Sequence, residues 1–298
     1  MDNQSSSCII CENKNSVKSL GIQNLAKCHH CRLVFRNPIP SSEDVHQYYE
    51  KAYTSTFLEE GSGRHRTKLY EKFLRRFENR KPKGSLLDIG CSFGQFITLA
   101  YEKGWDVYGI EPSKEASEYI REKYDFDILG SLIERGFPSN HFDIITLWNV
   151  LDHLPDPQKE LMEIHRVIKP GGLLFLRMPN FIFQKTSFQT AFFIERLFSR
   201  HSTFAHKVSV FHLYCFTPEI IKKLLNLSGF ESITVKNSLL SEGDSYSAFP
   251  TLGEKSINLM KNLAFILFES IYYLSLKSFI WGPSMEVYST KSSNHSAS

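Results

Sequence analysis

Two pairs of cysteines open the chain with the spacing of a metal site. Cys8 and Cys11 form one C-x-x-C knuckle, and Cys28 and Cys31 form a second after sixteen intervening residues. Each knuckle can present two thiolates to one ion, and four thiolates complete the tetrahedral coordination of Zn²⁺ with no position left for chemistry. The spacing predicts a structural zinc, and the alternative is two reduced pairs without metal.

A second chemical signature is the turn Gly90-Cys91-Ser92-Phe93-Gly94, which joins an apolar strand to a helical pattern. Glycines let the backbone turn tightly and let a ligand approach, while the start of the helix offers unpaired N–H groups. The turn lacks the G-x-G-x-x-G fingerprint of dinucleotide sites. It matches the G-x-S-x-G nucleophile elbow of α/β-hydrolases, but that elbow normally follows several strands, whereas a strand-poor segment precedes it here. A nucleotide-binding turn is therefore favoured.

A carboxylate follows the next predicted strand, Asp106 to Ile110. Glu111 ends this strand, and a carboxylate at that position beside the first turn can accept hydrogen bonds from both hydroxyls of a ribose. Further strands are predicted at 126–129, 142–147, 173–178, 232–235 and 285–290, most of them alternating with helices. The alternation predicts a mainly parallel sheet with ligands at the carboxyl ends of the strands.

The composition is that of an ordinary globular protein, with 42% hydrophobic and 22% charged residues in a chain of 298. A net charge of +3 is too small to indicate nucleic acid binding. The polar start of the chain has no apolar export signal, which predicts a cytoplasmic location and cysteines that are reduced or metal-bound.

Three motifs in order carry a resemblance to a known family: LLDIGCSFGQF, GIEPS and FDIITLWNVLDHLPDPQKELMEIHRVIKPGGLLFLRMPN. Together they resemble the class I S-adenosylmethionine-dependent methyltransferases. The cysteine knuckles followed by NPIP resemble the zinc-ribbon-bearing members of bacterial glycan and secondary-metabolite pathways. The resemblance covers residues 8–237. It implies a Rossmann-like α/β fold with a seven-stranded, mainly parallel sheet, helices on both faces and a small four-cysteine zinc knuckle.

The resemblance also implies a site for S-adenosylmethionine. The implied residues are Asp88, Gly90, Cys91, Ser92 and Gly94 around the methionine part, Glu111 and Pro112 at the ribose, Ser131 and Leu132 at the adenine, and Trp148 and Asn149 beside the sulfonium. Two positions depart from the family pattern. Ser92 stands where glycine is usual, and Asp152-His153 stands where Glu-His is common.

Methyl transfer to an acceptor that carries a proton needs a group to remove it. The candidates are His153, then His212, then Tyr214, with a role for His153 in shaping the pocket floor as the alternative. His212 and Tyr214 occupy alternate positions of an extended segment and so share one face. The resemblance implies that this face lies near the active site.

The predicted organisation has four parts: a zinc ribbon at 1–40, a helical linker and cap at 41–83, a methyltransferase core at 84–240 and a C-terminal part at 241–298. Within the core, phenylalanines and basic residues at 181–211 predict a substrate cover for an amphiphilic, anionic acceptor, and packed core is the alternative. The last part contains a strongly apolar segment, 254–281, whose uncharged runs are too short to span a membrane. This segment is either a packed amphipathic helix or a helix on a membrane surface.

The predicted function is S-adenosylmethionine-dependent methylation of a small-molecule, sugar or lipid-linked glycan acceptor, with O-, N- and C-methylation left open. One alternative is an RNA or protein methyltransferase guided by the zinc ribbon. Another is a non-catalytic module that only binds S-adenosylmethionine. The weak net charge and the lack of an Asn-Pro-Pro-Tyr-like motif after the fourth strand count against nucleic acid.

Overall fold

The computed structural model describes residues 8–13, 16–20, 24–41, 43–45, 47, 64–126, 128, 130–197, 212–241 and 253–293. The second half of the predicted cover, 198–211, lies outside these residues. The strands are β1 Val17–Ser19, β2 Leu25–Cys28, β3 Val34–Arg36, β4 Ser85–Ile89, β5 Asp106–Ile110, β6 Phe142–Trp148, β7 Ile168–Pro179, β8 Tyr214–Cys215, β9 Phe230–Asn237 and β10 Ser284–Lys291. The helices are α1 Arg64–Glu78, α2 Gln95–Glu102, α3 Lys114–Tyr124, α4 Leu132–Arg135, α5 Pro157–Val167, α6 Phe181–Leu197, α7 Pro218–Leu227 and α8 Glu254–Leu274, with a 3-10 turn at Leu151–His153.

The central sheet has the order β5-β4-β6-β7-β10-β9. β4 pairs in parallel with β5 and β6, and β6 pairs in parallel with β7. β10 inserts antiparallel between β7 and β9. The Rossmann-like, mainly parallel sheet of the sequence prediction is confirmed, and the carboxyl ends of β4, β5, β6 and β7 share one edge.

The predicted count of seven strands is wrong for the described part of the chain, where the sheet has six. Half of the predicted strand at 126–129, residues 127 and 129, lies outside the described residues. Beside these positions the Glu111 N–H donates to the carbonyl of Ile128 at 2.7 Å, and the Gly130 N–H donates to the carbonyl of Glu111 at 3.2 Å.

Helix α1 covers one face of the sheet with an apolar stripe. Leu69, Phe73, Leu74 and Phe77 are buried together with Phe175 of β7. The helix ends at Glu78. The cap segment is thereby fixed to the sheet and lies beside the site described below.

The N-terminal module is joined to the main domain by a shared sheet. β3 pairs antiparallel with β8, with Val34 opposite Cys215 and Phe35 opposite Tyr214. Leu33 and Phe35 belong to the same buried cluster as Tyr214. The module therefore contributes to the core that supports the segment carrying His212 and Tyr214.

Helix α8 turns two of its charged side chains, Lys261 and Glu269, toward the protein. Lys261 Nζ donates a hydrogen bond to the carbonyl of Ser241 at 2.9 Å, and Asn237 Nδ2 donates to Glu269 Oε1 at 3.3 Å. Its outward side chains are mostly apolar and exposed: Leu259, Met260, Leu263, Ile266, Leu267, Tyr273 and Leu274. Ile257, Phe268 and Tyr272 are buried. The prediction of a packed amphipathic helix therefore applies to this face of α8 alone.

Candidate active site at the carboxyl edge of the sheet

The turn between β4 and α2 needs glycine at both ends. Gly90 and Gly94 have φ values of 70° and 74°, a region that residues with a Cβ rarely adopt. A Cβ on Gly90 would lie 2.5 Å from Val150 Cγ2. Ser92 also has a positive φ, of 52°, which accounts for glycine being usual at this position in the family it resembles. The turn therefore brings backbone N–H groups to the strand edge without side chains in front of them.

The side chain of Cys91 points away from this turn. It is buried with Ile97, Ile120 and Ile128, and burial raises the pKa of its thiol. Only the backbone of Cys91 belongs to the candidate cofactor site, where its N–H donates to the carbonyl of Ile110 at 3.1 Å. Its side chain fills the core under α2.

Asp88 lies buried at the end of β4. Thr146 Oγ1 of β6 donates a hydrogen bond to Asp88 Oδ1 at 2.5 Å. Burial, with a smaller contribution from the nearby charge of Glu111, raises the pKa of the Asp88 carboxyl to about 8. Asp88 therefore ties β4 to β6 directly under the glycine turn.

Glu111 is held rigidly between the turn and the next helix. Its Oε2 accepts a hydrogen bond from the Ser92 N–H at 2.8 Å, and its Oε1 accepts one from the Ser113 N–H at 2.9 Å. The residue is 2% exposed, and burial raises the pKa of its carboxyl despite these two donors. Each oxygen keeps a lone pair for a further donor. This carboxylate has the chemistry and the position expected for binding ribose hydroxyls.

Ser131 and Leu132, the residues predicted at the adenine, come directly after Gly130, which is bonded through its backbone to Glu111. Ser131 caps α4 and exchanges hydrogen bonds with Glu134 in a capping box, whereas Leu132 is fully buried. The Gly130 N–H donates to the carbonyl of Glu111, so this turn lies beside the candidate ribose site. Pro112, next to Glu111, is exposed.

Trp148 at the end of β6 is packed inside an aromatic cluster. Its ring centroid lies 4.9 Å from those of Tyr70 and Phe96 and 5.1 Å from that of Phe73. The indole Nε1 is buried and has no hydrogen-bond partner among the described residues. Trp148 thus forms part of the wall between α1 and the sheet.

Asn149 continues the chain beyond Trp148 with a φ of 57°. Arg177 Nη1 of β7 donates to Asn149 Oδ1 at 3.1 Å, and Arg177 Nε donates to Ser238 Oγ at 3.0 Å. The sequence analysis missed Arg177. The available signal was a single cation in the otherwise apolar predicted strand 173–178, which is unusual because burying a charge is costly.

A cluster of Asp152, His153 and His212 lies beyond Asn149. Nε2 of each histidine is 3.8 Å from the same oxygen, Oδ2 of Asp152. The two imidazole centroids are 4.1 Å apart. The structure thus brings together the two histidines predicted as bases, and it adds Asp152, for which the sequence analysis assigned no role.

The electrostatics of this cluster follow from its burial. Asp152 is 2% exposed, and neither carboxylate oxygen accepts a hydrogen bond from another described residue. Burial raises the pKa of Asp152, and the nearby His212 opposes the rise. Burial also lowers the pKa of His153 and His212 to about 4 each. Both imidazoles are therefore neutral near pH 7.

Tyr214 holds the loop that carries this cluster. Its Oη donates a hydrogen bond to the carbonyl of Pro155 at 2.7 Å, and its side chain is buried. Burial raises the pKa of the phenol, which disfavours the phenolate that a base would need. The geometry favours a positioning role, and the role of Tyr214 as a base stays a prediction.

The four N-terminal cysteines converge as their spacing predicts. Their Sγ atoms all lie within 4.8 Å of one another, with Cys8 and Cys31 separated by 3.3 Å and Cys11 and Cys28 by 3.5 Å. A tetrahedral zinc with Zn–S bonds of about 2.3 Å separates its sulfurs by about 3.8 Å. The observed spacing and the four-thiol donor set both fit such an ion.

With this geometry described, comparison with known proteins identifies the family. Residues 62–235 match a family model described as a methyltransferase domain. The chain belongs to this methyltransferase domain family. The match includes α1, the glycine turn, Glu111 and the Asp152 cluster, so the hydrolase interpretation of Ser92 is wrong.

Individual relatives align with only part of this chain. It is 32% identical over 143 residues to demethylmenaquinone methyltransferase from Geobacillus kaustophilus, over 44% of this chain and 61% of the relative. It is 32% identical over 116 residues to phosphoethanolamine N-methyltransferase 2 from Caenorhabditis elegans, over 36% of this chain and 26% of that protein. The chain thus spans less than two thirds of the length of these curated relatives.

A solved structure has a similar fold. A SAM-dependent methyltransferase from Leishmania major matches 84% of this chain and 82% of its own, with a TM-score of 0.50 and 14% identity. At this identity the likeness concerns the fold alone. It supports the Rossmann-like methyltransferase architecture described above.

Replacing Glu111 with alanine is expected to weaken binding of S-adenosylmethionine by about 30-fold or more. The variant loses hydrogen bonds between a charged acceptor and ligand hydroxyls, each of which contributes about 1.5–3 kcal/mol. Isothermal titration calorimetry with S-adenosylmethionine measures the change.

The exposed Glu122, replaced by glutamine, serves as the control for this measurement and is expected to bind like the wild type. A thermal melt verifies that the Glu111 variant is folded. If the folded variant keeps the affinity of the wild type, Glu111 does not hold the ribose.

Proposed function

We propose that this protein transfers a methyl group from S-adenosylmethionine to a small-molecule, sugar or lipid-linked glycan acceptor. The observation that carries the proposal is Glu111, a buried carboxylate held between the Ser92 and Ser113 N–H groups beside a glycine turn. In a chain of the methyltransferase domain family, this arrangement supports a ribose-binding role.

S-adenosylmethionine supplies an electrophilic methyl group on a sulfonium that is a good leaving group. The protein's task is mainly to position the reactants, which can contribute on the order of 7–11 kcal/mol to lowering the barrier. The glycine turn and Asp88 support the methionine part, and Glu111 orients the ribose. The cluster of Asp152, His153 and His212 stands at the end of β6, where it can handle the proton of the acceptor.

The cysteine cluster is proposed to hold a structural zinc ion, with Cys8, Cys11, Cys28 and Cys31 as its ligands. The four-thiol donor set and the mutual spacing within 4.8 Å support this. Four protein ligands close the coordination sphere, so the proposed ion has no part in methyl transfer. Its role is to hold the module that carries β3 against β8.

The exposed apolar face of α8 supports an acceptor presented at a membrane. Leu263 and Ile266 are 59% and 61% exposed, while the helix turns Lys261 and Glu269 toward the protein. None of the described helices has the length and apolarity that crossing a membrane requires. An apolar outward face instead suits a helix lying in the lipid interface, and the exposed Lys255 and Lys277 near its two ends suit anionic lipid headgroups.

The double variant Leu263→Asn with Ile266→Asn is expected to bind vesicles at least tenfold more weakly than the wild type. Burying each of these side chains contributes about 1.5–3 kcal/mol, which the variant loses. Co-sedimentation with phosphatidylcholine vesicles, with and without phosphatidylglycerol, measures the binding.

Met162, an exposed apolar residue of α5, provides the matched control when replaced by asparagine. Binding that strengthens with phosphatidylglycerol and weakens with salt supports the proposal. If the wild-type protein binds neither kind of vesicle, the proposed membrane binding is contradicted. A concentration-dependent dimer in ultracentrifugation would assign the apolar face of α8 to a second copy of the chain.

The proposed activity is tested by incubating the protein with an extract of the organism and S-adenosylmethionine labelled on its methyl group. The products are then separated into small-molecule, lipid, glycan, RNA and protein fractions. Label is expected in the lipid or glycan fraction or in small molecules. Label in RNA or protein would contradict the proposed acceptor class. Binding of the cofactor without transfer to any fraction would identify a non-catalytic module.

A further inference from the structure

We propose that Asp152, His153 and His212 bind one divalent transition-metal ion, of the Mn²⁺ or Fe²⁺ type, at a site distinct from the cysteine cluster. The three residues offer three ligand atoms that all lie within 4.8 Å of one another. Two imidazoles and one carboxylate form the donor set that non-haem Fe(II) sites use, with positions left open for other ligands.

The buried carboxylate is the first argument for a cation. Asp152 is 2% exposed, and neither oxygen accepts a hydrogen bond from another described residue. A buried polar group without a partner costs free energy, and a buried charge costs more. A bound cation provides the missing partner for both oxygens.

The orientation of the histidines is the second argument. Both imidazoles direct Nε2 to the same oxygen of Asp152, at 3.8 Å each. This distance is too long for a hydrogen bond, so no proton relay is formed between Asp152 and either histidine. Metal bonds of about 2.1 Å place neighbouring ligands roughly 3.0–3.4 Å apart, so binding one ion would shorten each of these two distances by about 0.4–0.8 Å.

The environment also favours ligation. His153 and His212 are 25% and 23% exposed, whereas Asp152 forms the floor, so the ion would remain accessible from one side. The site lies three residues beyond Asn149, and Val150 packs against Gly90 of the cofactor turn.

This position gives the metal a role that rests on the proposed function. A hydroxyl acceptor bound to the open side would have its pKa lowered by the cation. Its O–H bond would break with release of the proton to water, and the oxygen would form the bond to the methyl carbon. The electrons of the methyl–sulfur bond would return to sulfur. In this arrangement the histidines are ligands, and the acceptor is an oxygen nucleophile.

Metal binding is tested directly on the full-length protein with its cysteine cluster loaded with zinc. Titration with Mn²⁺, followed by electron paramagnetic resonance, is expected to show one bound equivalent in the wild type. Spin-echo modulation is expected to show two directly bound imidazole nitrogens. The variants Asp152→Asn and His212→Ala are expected to lose more than 100-fold in affinity, beyond the roughly 10–100-fold that loss of an outer partner costs.

The exposed Asp106, replaced by asparagine, is the control and is expected to bind Mn²⁺ like the wild type. Calorimetry with S-adenosylmethionine verifies that each variant keeps an intact cofactor site. A wild type that binds no Mn²⁺, or an Asp152→Asn variant that binds it equally well, overturns the metal site. Because no acceptor is present, this result is independent of the methyl-transfer test, and loss of cofactor binding alone would instead contradict the proposed function.

Discussion

Replacing Cys31 with serine is expected to release the zinc of the cysteine cluster and to lower the free energy of unfolding by about 4 kcal/mol or more. Binding of structural zinc contributes about 10–16 kcal/mol in isolated zinc-finger peptides, and there it is folding free energy. Cys8, Cys28 and Cys31 are buried in the same cluster as Leu33 and Phe35, so loss of the ion disturbs the main core as well. For a domain of this size the midpoint of thermal unfolding should fall by on the order of 10 °C.

The zinc content and the thermal midpoint measure this effect together. The control is Cys215→Ala, which removes another buried thiol that lies outside the cluster. We expect one equivalent of zinc in the wild type and in the control, and less than a tenth of that in Cys31→Ser. A protein purified without zinc, or a Cys31→Ser variant that keeps both its zinc and its midpoint, contradicts the structural zinc site.

The Cys31→Ser variant is expected to affect the two parts of the candidate site differently, namely the cluster that contains His212 and the cofactor site that contains Glu111. β3 pairs with β8, and His212 lies two residues before β8, whereas Glu111 is held by the turn after β4. Loss of the proposed zinc should therefore reduce methyl transfer more than it reduces affinity for S-adenosylmethionine. That outcome would assign the cysteine module a positioning role for His212.

The glycine turn and the placement of Glu111 beside it could be predicted from the sequence because their determinants are local. The strand, the glycine turn and the following helix lie within 20 residues, and Glu111 follows the very next strand. Backbone requirements at Gly90 and Gly94 leave few residue types able to replace them. Such constraints are visible in a single sequence without any knowledge of distant contacts.

The features that sequence could not reveal depend on contacts between distant segments. His153 and His212 are 59 residues apart in the chain, and their rings meet at 4.1 Å because β8 pairs with β3 and Tyr214 of β8 bonds to Pro155 in the loop after His153. Helix α8 presents the same difficulty. The sequence left open whether this helix packs or lies on a membrane, and Ser241 and Asn237 supply polar partners that draw Lys261 and Glu269 inward. Periodicity fixes which residues share a face, and the neighbouring polar groups decide where that face points.

Replacing His153 or His212 with alanine is expected to lower the rate of methyl transfer by about 10²–10⁴, with affinity for S-adenosylmethionine within about twofold of the wild type. Both a base and a metal ligand at these positions require the imidazole, whereas cofactor binding is assigned to Glu111 and the glycine turn. The initial rate of label incorporation into the methylated fraction and calorimetry with the cofactor measure the two quantities separately.

The control is His141→Gln, because His141 precedes the amino end of β6, at the opposite edge of the sheet. Full activity in both alanine variants would contradict any catalytic part for the cluster. Chemical rescue distinguishes the remaining roles. Added imidazole should restore transfer in the His153 variant if that side chain takes the proton. Excess Mn²⁺ should restore transfer if His153 is instead a metal ligand, because Asp152 and His212 would still bind the ion weakly.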